Sequence, residues 1–248
     1  MTANQMADEL ELKADRVASF GSPGYEDEDL TSVLTEAEMM YVKKFLDAKN
    51  NRKGESFGET EIRDQGLSAL VKRGAVLPVS SSQSGVLPNG AFYDLPEDFM
   101  YTLHEEAYID KMDCDDNNIL GTVTPISYDE VSRLRFNKYK KPYYKNGKAK
   151  IWRLVYSRLV DGDDPAFTAT AKRHELVTDN TFGISSYNIN YVRKPKGIIV
   201  DRTTPTNQRS SILDESTHTV ILDIALSLLL ERVKEQKLAN IEQFKDLE

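Results

Sequence analysis

The chain has 248 residues, 40% hydrophobic and 29% charged, with nine Phe, twelve Tyr and one Trp, and it carries a net charge of −8 at pH 7. That composition supports a core for one large domain or two small ones and excludes a disordered chain, while the acidic balance argues against a general nucleic-acid binder and against adsorption to anionic membranes. The single cysteine, Cys114, excludes an intrachain disulfide framework and a multi-cysteine zinc site, and fits a reducing compartment.

The N-terminal stretch MTANQMADELELKADR has no apolar core of signal-peptide type. Residues 5–19 place Met6, Leu10, Val17 and Phe20 near helical spacing, and Gly21-Ser22-Pro23-Gly24 stops that helix. The acidic cluster Glu26-Asp27-Glu28-Asp29 then opens an amphipathic helix carrying Leu30, Val33, Leu34, Ala37, Met40, Tyr41, Val42 and Phe45. Lys43 and Lys44 lie at its far end, a polarity that suits the macrodipole. A third helix is expected from about Gly58 to Lys72, with Gly74 able to end it. Residues 1–77 thus read as a helical unit.

Residues 78–90, PVSSSQSGVLPNG, read as a loop. The region 91–201 reads as β-rich, with β character at 90–103, 119–126, 151–160, 174–178 and 187–200. Within it, Asn146-Gly147 supplies the positive φ angles of a type I′ hairpin turn, and Ser127-Tyr128-Asp129-Glu130 has the spacing of a capping box for a short helix reaching about Phe136. Asp161-Gly162-Asp163-Asp164-Pro165 is another turn. Residues 202–248 complete the chain as a linker and a long helix expected to pack back on the helical unit, giving one composite domain. The order defines an α+β fold: N-terminal helical unit, central mostly antiparallel β region with a hairpin, long C-terminal helix.

From Val220 to Leu230 that last helix reads VILDIALSLLL. Its polar positions Asp223 and Ser227 share one narrow sector with Ser216, Glu231 and Lys234, so most of its circumference is apolar and needs cover from several directions. The run spans only ~16 Å as helix, against ~30 Å of bilayer hydrocarbon, so it does not read as a membrane span. Leu222 and Ile224 point about 160° apart at 100° per residue, and with Leu228 and Leu229 they form a candidate intersubunit helix face.

Catalytic chemistry finds little support. His104-Glu105-Glu106-Ala107-Tyr108 begins like a helical zinc-protease motif, but Tyr108 stands where the second histidine is needed. Asp113-Cys114-Asp115-Asp116-Asn117 begins like a calcium loop, yet Asn118 and Thr124 occupy the positions that require Gly and a bidentate acid. It reads as a solvated loop, with a cation shared between chains or a metal-dependent hydrolase as the sharper alternatives. There is no phosphate-cradling loop ending in Lys-Ser or Lys-Thr and no G-x-S-x-G elbow, and the three histidines form no catalytic pattern. No catalytic, cofactor or metal residue is assigned, and the chain reads as a non-enzyme.

One charge feature stands out. From Arg133 to Arg153 there are nine basic residues and no acid, interleaved with Tyr139, Tyr143, Tyr144 and Trp152. Lys138, Lys140, Lys141, Lys145, Lys148 and Lys150 form a candidate docking hairpin for an acidic partner face or for nucleic-acid phosphates. The blander reading is a solvated hairpin whose lysines keep its edge from aggregating.

Taken in order, these segments resemble the neck or adaptor ring proteins of crAss-like phages and related podophages. The likeness rests on Phe20-Gly21-Ser22-Pro23-Gly24-Tyr25, Leu34-Thr35-Glu36-Ala37-Glu38 with Tyr41-Val42, Gly58-Glu59-Thr60-Glu61 and Leu67-Ser68-Ala69-Leu70-Val71. It continues through Leu95-Pro96-Glu97-Asp98-Phe99-Met100-Tyr101, Pro125-Ile126-Ser127-Tyr128-Asp129-Glu130-Val131, Lys140-Lys141-Pro142, Tyr187 to Pro195, and the 213–230 helix.

The resemblance implies a structural virion protein without catalysis or cofactor, assembled in the cytoplasm of a bacterial host. It implies a ring, commonly twelve-fold, joining the portal vertex to the tail around the DNA channel. Its implied partners are other copies, the portal and neighbouring neck or tail rings, with genomic DNA passing without sequence-specific contacts and no membrane. A tail-side hub or terminator ring, and a DNA-binding accessory protein using the 133–153 hairpin, are the alternatives. The hydrophilic tail from Lys234 to Glu248 departs from the pattern by exceeding what the core helix needs.

Overall fold

The computed structural model describes residues 1–18, 24–46, 66–111, 118–157 and 172–245. They divide into two compact units, one formed by Met1–Val71 with Lys194–Glu248 and the other by Lys72–Arg193.

The first unit is helical. Helices α1 (Ala3–Ala18) and α2 (Asp27–Leu46) fall where the apolar periodicity places them, with Met6, Leu10, Leu30, Val33, Leu34, Ala37 and Val42 fully buried. Phe20 lies outside the described residues. A long helix, here numbered α4 (Glu215–Lys245), is the common partner of both. At 1.5 Å per residue it runs for about 46 Å. Lys13 on α1 reaches Asp223 at 2.8 Å, and Arg232 reaches Glu36 on α2 at 2.7 Å, so ion pairs flank the apolar seam on both sides.

The connecting segment 197–201 is held by helix side chains. Thr35 Oγ1 donates to the Ile198 carbonyl at 2.9 Å and accepts its N–H at 3.1 Å, Thr31 Oγ1 accepts from Val200 N at 2.9 Å, and Asn4 bonds both backbone groups of Asp201. The approach is so close that a Cβ on Gly197, whose φ is +77°, would lie 2.9 Å from a Thr35 methyl. Arg202 joins Asp8 and Glu11 of α1 to Asp27 of α2, at 3.0, 2.9 and 3.6 Å.

Among the described residues the second unit is built on nine strands: β1 (Val71–Val76), β2 (Val79–Ser84), β3 (Gly90–Asp94), β4 (Phe99–Lys111), β5 (Ile119–Pro125), β6 (Tyr143–Lys145), β7 (Lys148–Ser157), β8 (Lys172–Val177) and β9 (Phe182–Arg193). Their order is β1-β9-β4-β5-β7-β8-β3-β2, with β6 paired to β7. The β5–β7 pair is parallel; β2–β3, β3–β8, β4–β5, β4–β9, β6–β7 and β7–β8 are antiparallel. Although β1 and β2 stand at opposite ends of this order, only Leu77 and Pro78 separate them in sequence. Leu77 N donates to Tyr187 O on β9 at 2.9 Å, and Pro78 O accepts from Asp94 N on β3 at 3.3 Å. The sheet must therefore curl until its two ends meet at this corner. The Tyr93 and Tyr187 rings, from β3 and β9, touch edge to face with centroids 5.2 Å apart.

Side chains fill the barrel: Tyr93, Ala107, Ile109, Ile151, Leu176, Phe182, Tyr187, Ile189 and Tyr191 are buried in one cluster. Outside the wall, the short helix α3 (Tyr128–Leu134) covers a second cluster of Trp152, Leu154 and Val177 with its Tyr128, Val131 and Leu134.

The α+β reading holds. Several local expectations need correction. Residues 58–65 lie outside the described residues; of the rest of the third expected helix, Gly66 and Leu67 are helical, Ser68–Leu70 is a 3-10 turn, and Val71 and Lys72 already belong to β1. The stretch 78–90, read as a loop, contains β2, because pairing to β3 outweighs its weak serine-rich pattern. Ser127 makes no side-chain cap to α3; the contact is from Glu130 N to the Ser127 carbonyl at 3.1 Å. The strand expected to reach Val200 ends at Arg193, with an isolated bridge at Ile199.

Candidate partner-binding surface

The hairpin forms as its turn residues dictate. Asn146 and Gly147 have φ of 53° and 72°, and Lys145 stands directly opposite Lys148. The connection from α3 into β6 is lashed down by Trp152 Nε1 donating to the Lys140 carbonyl at 2.9 Å, and Tyr144 N donates to Asp179 Oδ2 at 3.2 Å. Lys138, Lys140, Lys141, Lys145 and Lys148 are exposed and Lys150 is half-buried. None of these six, nor Arg135, forms an ion pair among the described residues, whereas Arg133 bonds Glu130 at 3.2 Å. Phe136 and Tyr139 on the same connection are 87% and 84% exposed. The segment contributes +9 to a net charge of −8, so the remaining chain carries −17. The basic surface is thus a local reversal with little internal neutralisation.

The ninth cation, Arg153, turns inward. It pairs with Glu105 at 3.1 Å, Tyr187 Oη donates to Glu105 at 2.7 Å, and His174 Nδ1 lies 2.9 Å from Tyr187 Oη. Because the tyrosine proton goes to the carboxylate, His174 Nδ1 is the donor in its contact. Burial and, secondarily, the Arg153 charge push His174 down to about 3, while burial and Glu105 push Tyr187 up. His174 stays neutral around neutral pH, in a barrel packed with side chains. Sequence reasoning missed this network because Arg153 was grouped with the surface cations; strand alternation, which sets it on the face of Ile151 rather than of Trp152, was the available signal.

The His104 motif lies on β4, not on a helix, and His104 is an exposed residue 3.2 Å from Glu106. Asp113, Asp115 and Asp116 lie outside the described residues. Among the described residues no group of three or more His, Cys, Asp or Glu side chains is placed to hold a metal ion, and no helix is long and apolar enough to cross a membrane.

The candidate intersubunit helix divides in two. Leu222 and Leu229 are buried within their own unit, 0% and 3% exposed, whereas Ile224 and Leu228 are half-buried and Val220 is 42% exposed. Much of the cover that the apolar circumference requires therefore comes from α1 and α2. The apolar side chains left partly uncovered are Val220, Ile224 and Leu228 on one flank and Leu226 and Leu230 on the other.

A sheet interior filled with buried side chains and a basic surface in which only Arg133 is ion-paired among the described residues draw attention to the outside of the molecule. Comparison with known proteins gives the class. Residues 1–242 match the phage tail ring protein 3/4 family, and the chain belongs to it: it is a neck or tail ring protein of a crAss-like phage. It is similar to "Ring protein 4/5" of Bacteroides phage crAss001, 25% identical over 80% of this chain and 75% of that protein. It also resembles "Ring protein 3" of the same phage, 23% identical over 68% of this chain and 66% of the relative.

Proposed function

We propose that the chain forms a closed ring, commonly twelve-fold in such necks, that joins the portal vertex to the tail around the DNA channel. The observation that carries this reading is the basic hairpin surface: Lys145 and Lys148 flank a turn at one end of the barrel, with no carboxylate paired to them among the described residues. An acidic face on the portal or on the next ring would complete it. A net-acidic chain also suits a channel wall that lets DNA slide past without holding it. Assembly takes place in the host cytoplasm, and the subunit uses no cofactor and no membrane.

The test is replacement of Lys145, Lys148 and Lys150 by Glu. Each is a surface position where a single change typically stays within ~0.5 kcal/mol, so the subunit should remain folded while docking to purified portal or neighbouring ring weakens. Unchanged docking together with lost, salt-dependent duplex binding would instead favour a DNA-binding accessory role. A tail-side hub or terminator ring would show the same sensitivity toward a tail component and none toward the portal.

A further inference from the structure

Beside the hairpin, on the flank of the barrel and away from the turn, lies a cleft of about 200 Å³. Its walls include Leu87, Val131, Trp152 and Val177, and Arg135 and Lys141 also line it. Trp152 and Val177 are buried, and they belong to the apolar cluster that α3 covers. The cleft therefore combines an apolar floor, suited to one apolar side chain, with two cations that have no ion-pair partner among the described residues. The connection between those cations carries the exposed Phe136 and Tyr139.

We propose that this cleft is the socket of a lateral ring contact, taking an apolar side chain flanked by carboxylates from a second copy of the chain. The proposal rests on the ring reading above and adds the site and the chemistry of its occupant. Charge selects the partner: outside the 133–153 segment every copy carries −17, so the rest of a neighbour is acidic on balance, the sign that Arg135 and Lys141 require. A cyclic ring joins unlike patches head to tail, so a basic socket on one flank and an acidic knob on the other can close it. Nucleic acid fits less well, because the floor of Leu87, Val131, Trp152 and Val177 suits an apolar side chain and not a phosphate; Asp179, which also lines the cleft, has a carboxylate already satisfied within the chain. That carboxylate is held in place by Tyr144 N and by the N–H and hydroxyl of Thr181. The geometry is that of an anchor pocket, in which a buried apolar group carries most of the affinity and the charged rim supplies registry.

The experiment uses the full chain, alone and on its purified portal, with a photoreactive phenylalanine analogue at Tyr139. Light should crosslink it to a second copy, at a peptide carrying both acidic and apolar residues. Two variants test the two halves of the socket: Thr178→Phe, which fills the cleft from its wall, and Arg135→Glu with Lys141→Glu, which reverses its rim. Each should abolish the crosslink and weaken self-association about tenfold or more, read by sedimentation. Circular dichroism should show the same melting as the parent chain. Several results would overturn the proposal: crosslinks that reach only the portal, crosslinks that reach nothing, or Thr178→Phe subunits that still crosslink and close rings in electron micrographs. The last would leave the connector reading standing. Absence of the protein from purified virions would instead remove the connector reading itself.

Discussion

Arg153 grips Glu105 with two nitrogens: Nε lies 3.2 and 3.3 Å from the two carboxylate oxygens and Nη2 lies 3.1 Å from one of them, with the side chains only 14% and 12% exposed. Removing one member of such a pair strands a charge in the wall of the barrel. Arg153→Met should destabilise the second unit by about 3–5 kcal/mol, and adding Glu105→Gln should recover part of that loss, because the stranded charge is then gone. Urea unfolding followed by the fluorescence of Trp152, the one tryptophan in the chain, measures both.

His174 makes stability depend on pH. Its folded-state pKa, pushed down to about 3 by burial and then by Arg153, lies below the ordinary 6.5. Between those values the unfolded chain binds a proton that the folded chain refuses. The stabilisation is complete above about pH 6.5 and is lost as pH falls toward about 3, at up to about 1.4 kcal/mol per pH unit. His174→Gln should lack this component. Urea midpoints at about pH 7 and about pH 5 should differ less for the variant than for the parent chain.

On α4 three aspartate substitutions should give two different outcomes. Leu222→Asp places a carboxylate at a fully buried position and should unfold the helical unit, and Leu229→Asp should do the same. Ile224→Asp falls on the half-buried face and should leave a cooperatively melting subunit that fails to close a ring. Melting curves beside negative-stain images decide it. An Ile224→Asp chain that assembles normally would show that this face meets no neighbour.

Glu175 is fully buried, with Leu87 N donating to one oxygen at 2.7 Å and the Tyr128 hydroxyl to the other. Tyr128→Phe removes one donor and should cost about 1–3 kcal/mol. Thermal melts of the variant test this, and Glu175→Gln in the Tyr128→Phe background should recover part of the loss by removing the charge.

Elements with local causes were legible in the sequence. The hairpin follows from Asn146-Gly147, and α2 from its apolar repeat and the acids at its start. The curl of the sheet was not, because it depends on pairing across the chain. VSSSQS has no apolar alternation, and its place beside β3 is set by the corner at Leu77–Pro78. Strand β8 reads as charged, yet Arg173, His174 and Glu175 are all buried. Asp94, Tyr187 and Tyr128 satisfy them from other segments, and no local pattern announces those partners. The basic surface was legible as composition, and the cleft beside it was not, since its walls come from four separate stretches of chain.

The helical unit is built from two ends of the chain, with residues 72–193 contributing the whole of the other unit between them. During synthesis the barrel has all of its sequence once Arg193 has left the ribosome. Helices α1 and α2 must wait for α4, the helix on which both of them pack. A chain interrupted before α4 would hold a finished barrel and two helices with bare apolar faces, a marked target for chaperones and proteases. The order of translation thus makes α4 the element whose arrival lets the helical unit form.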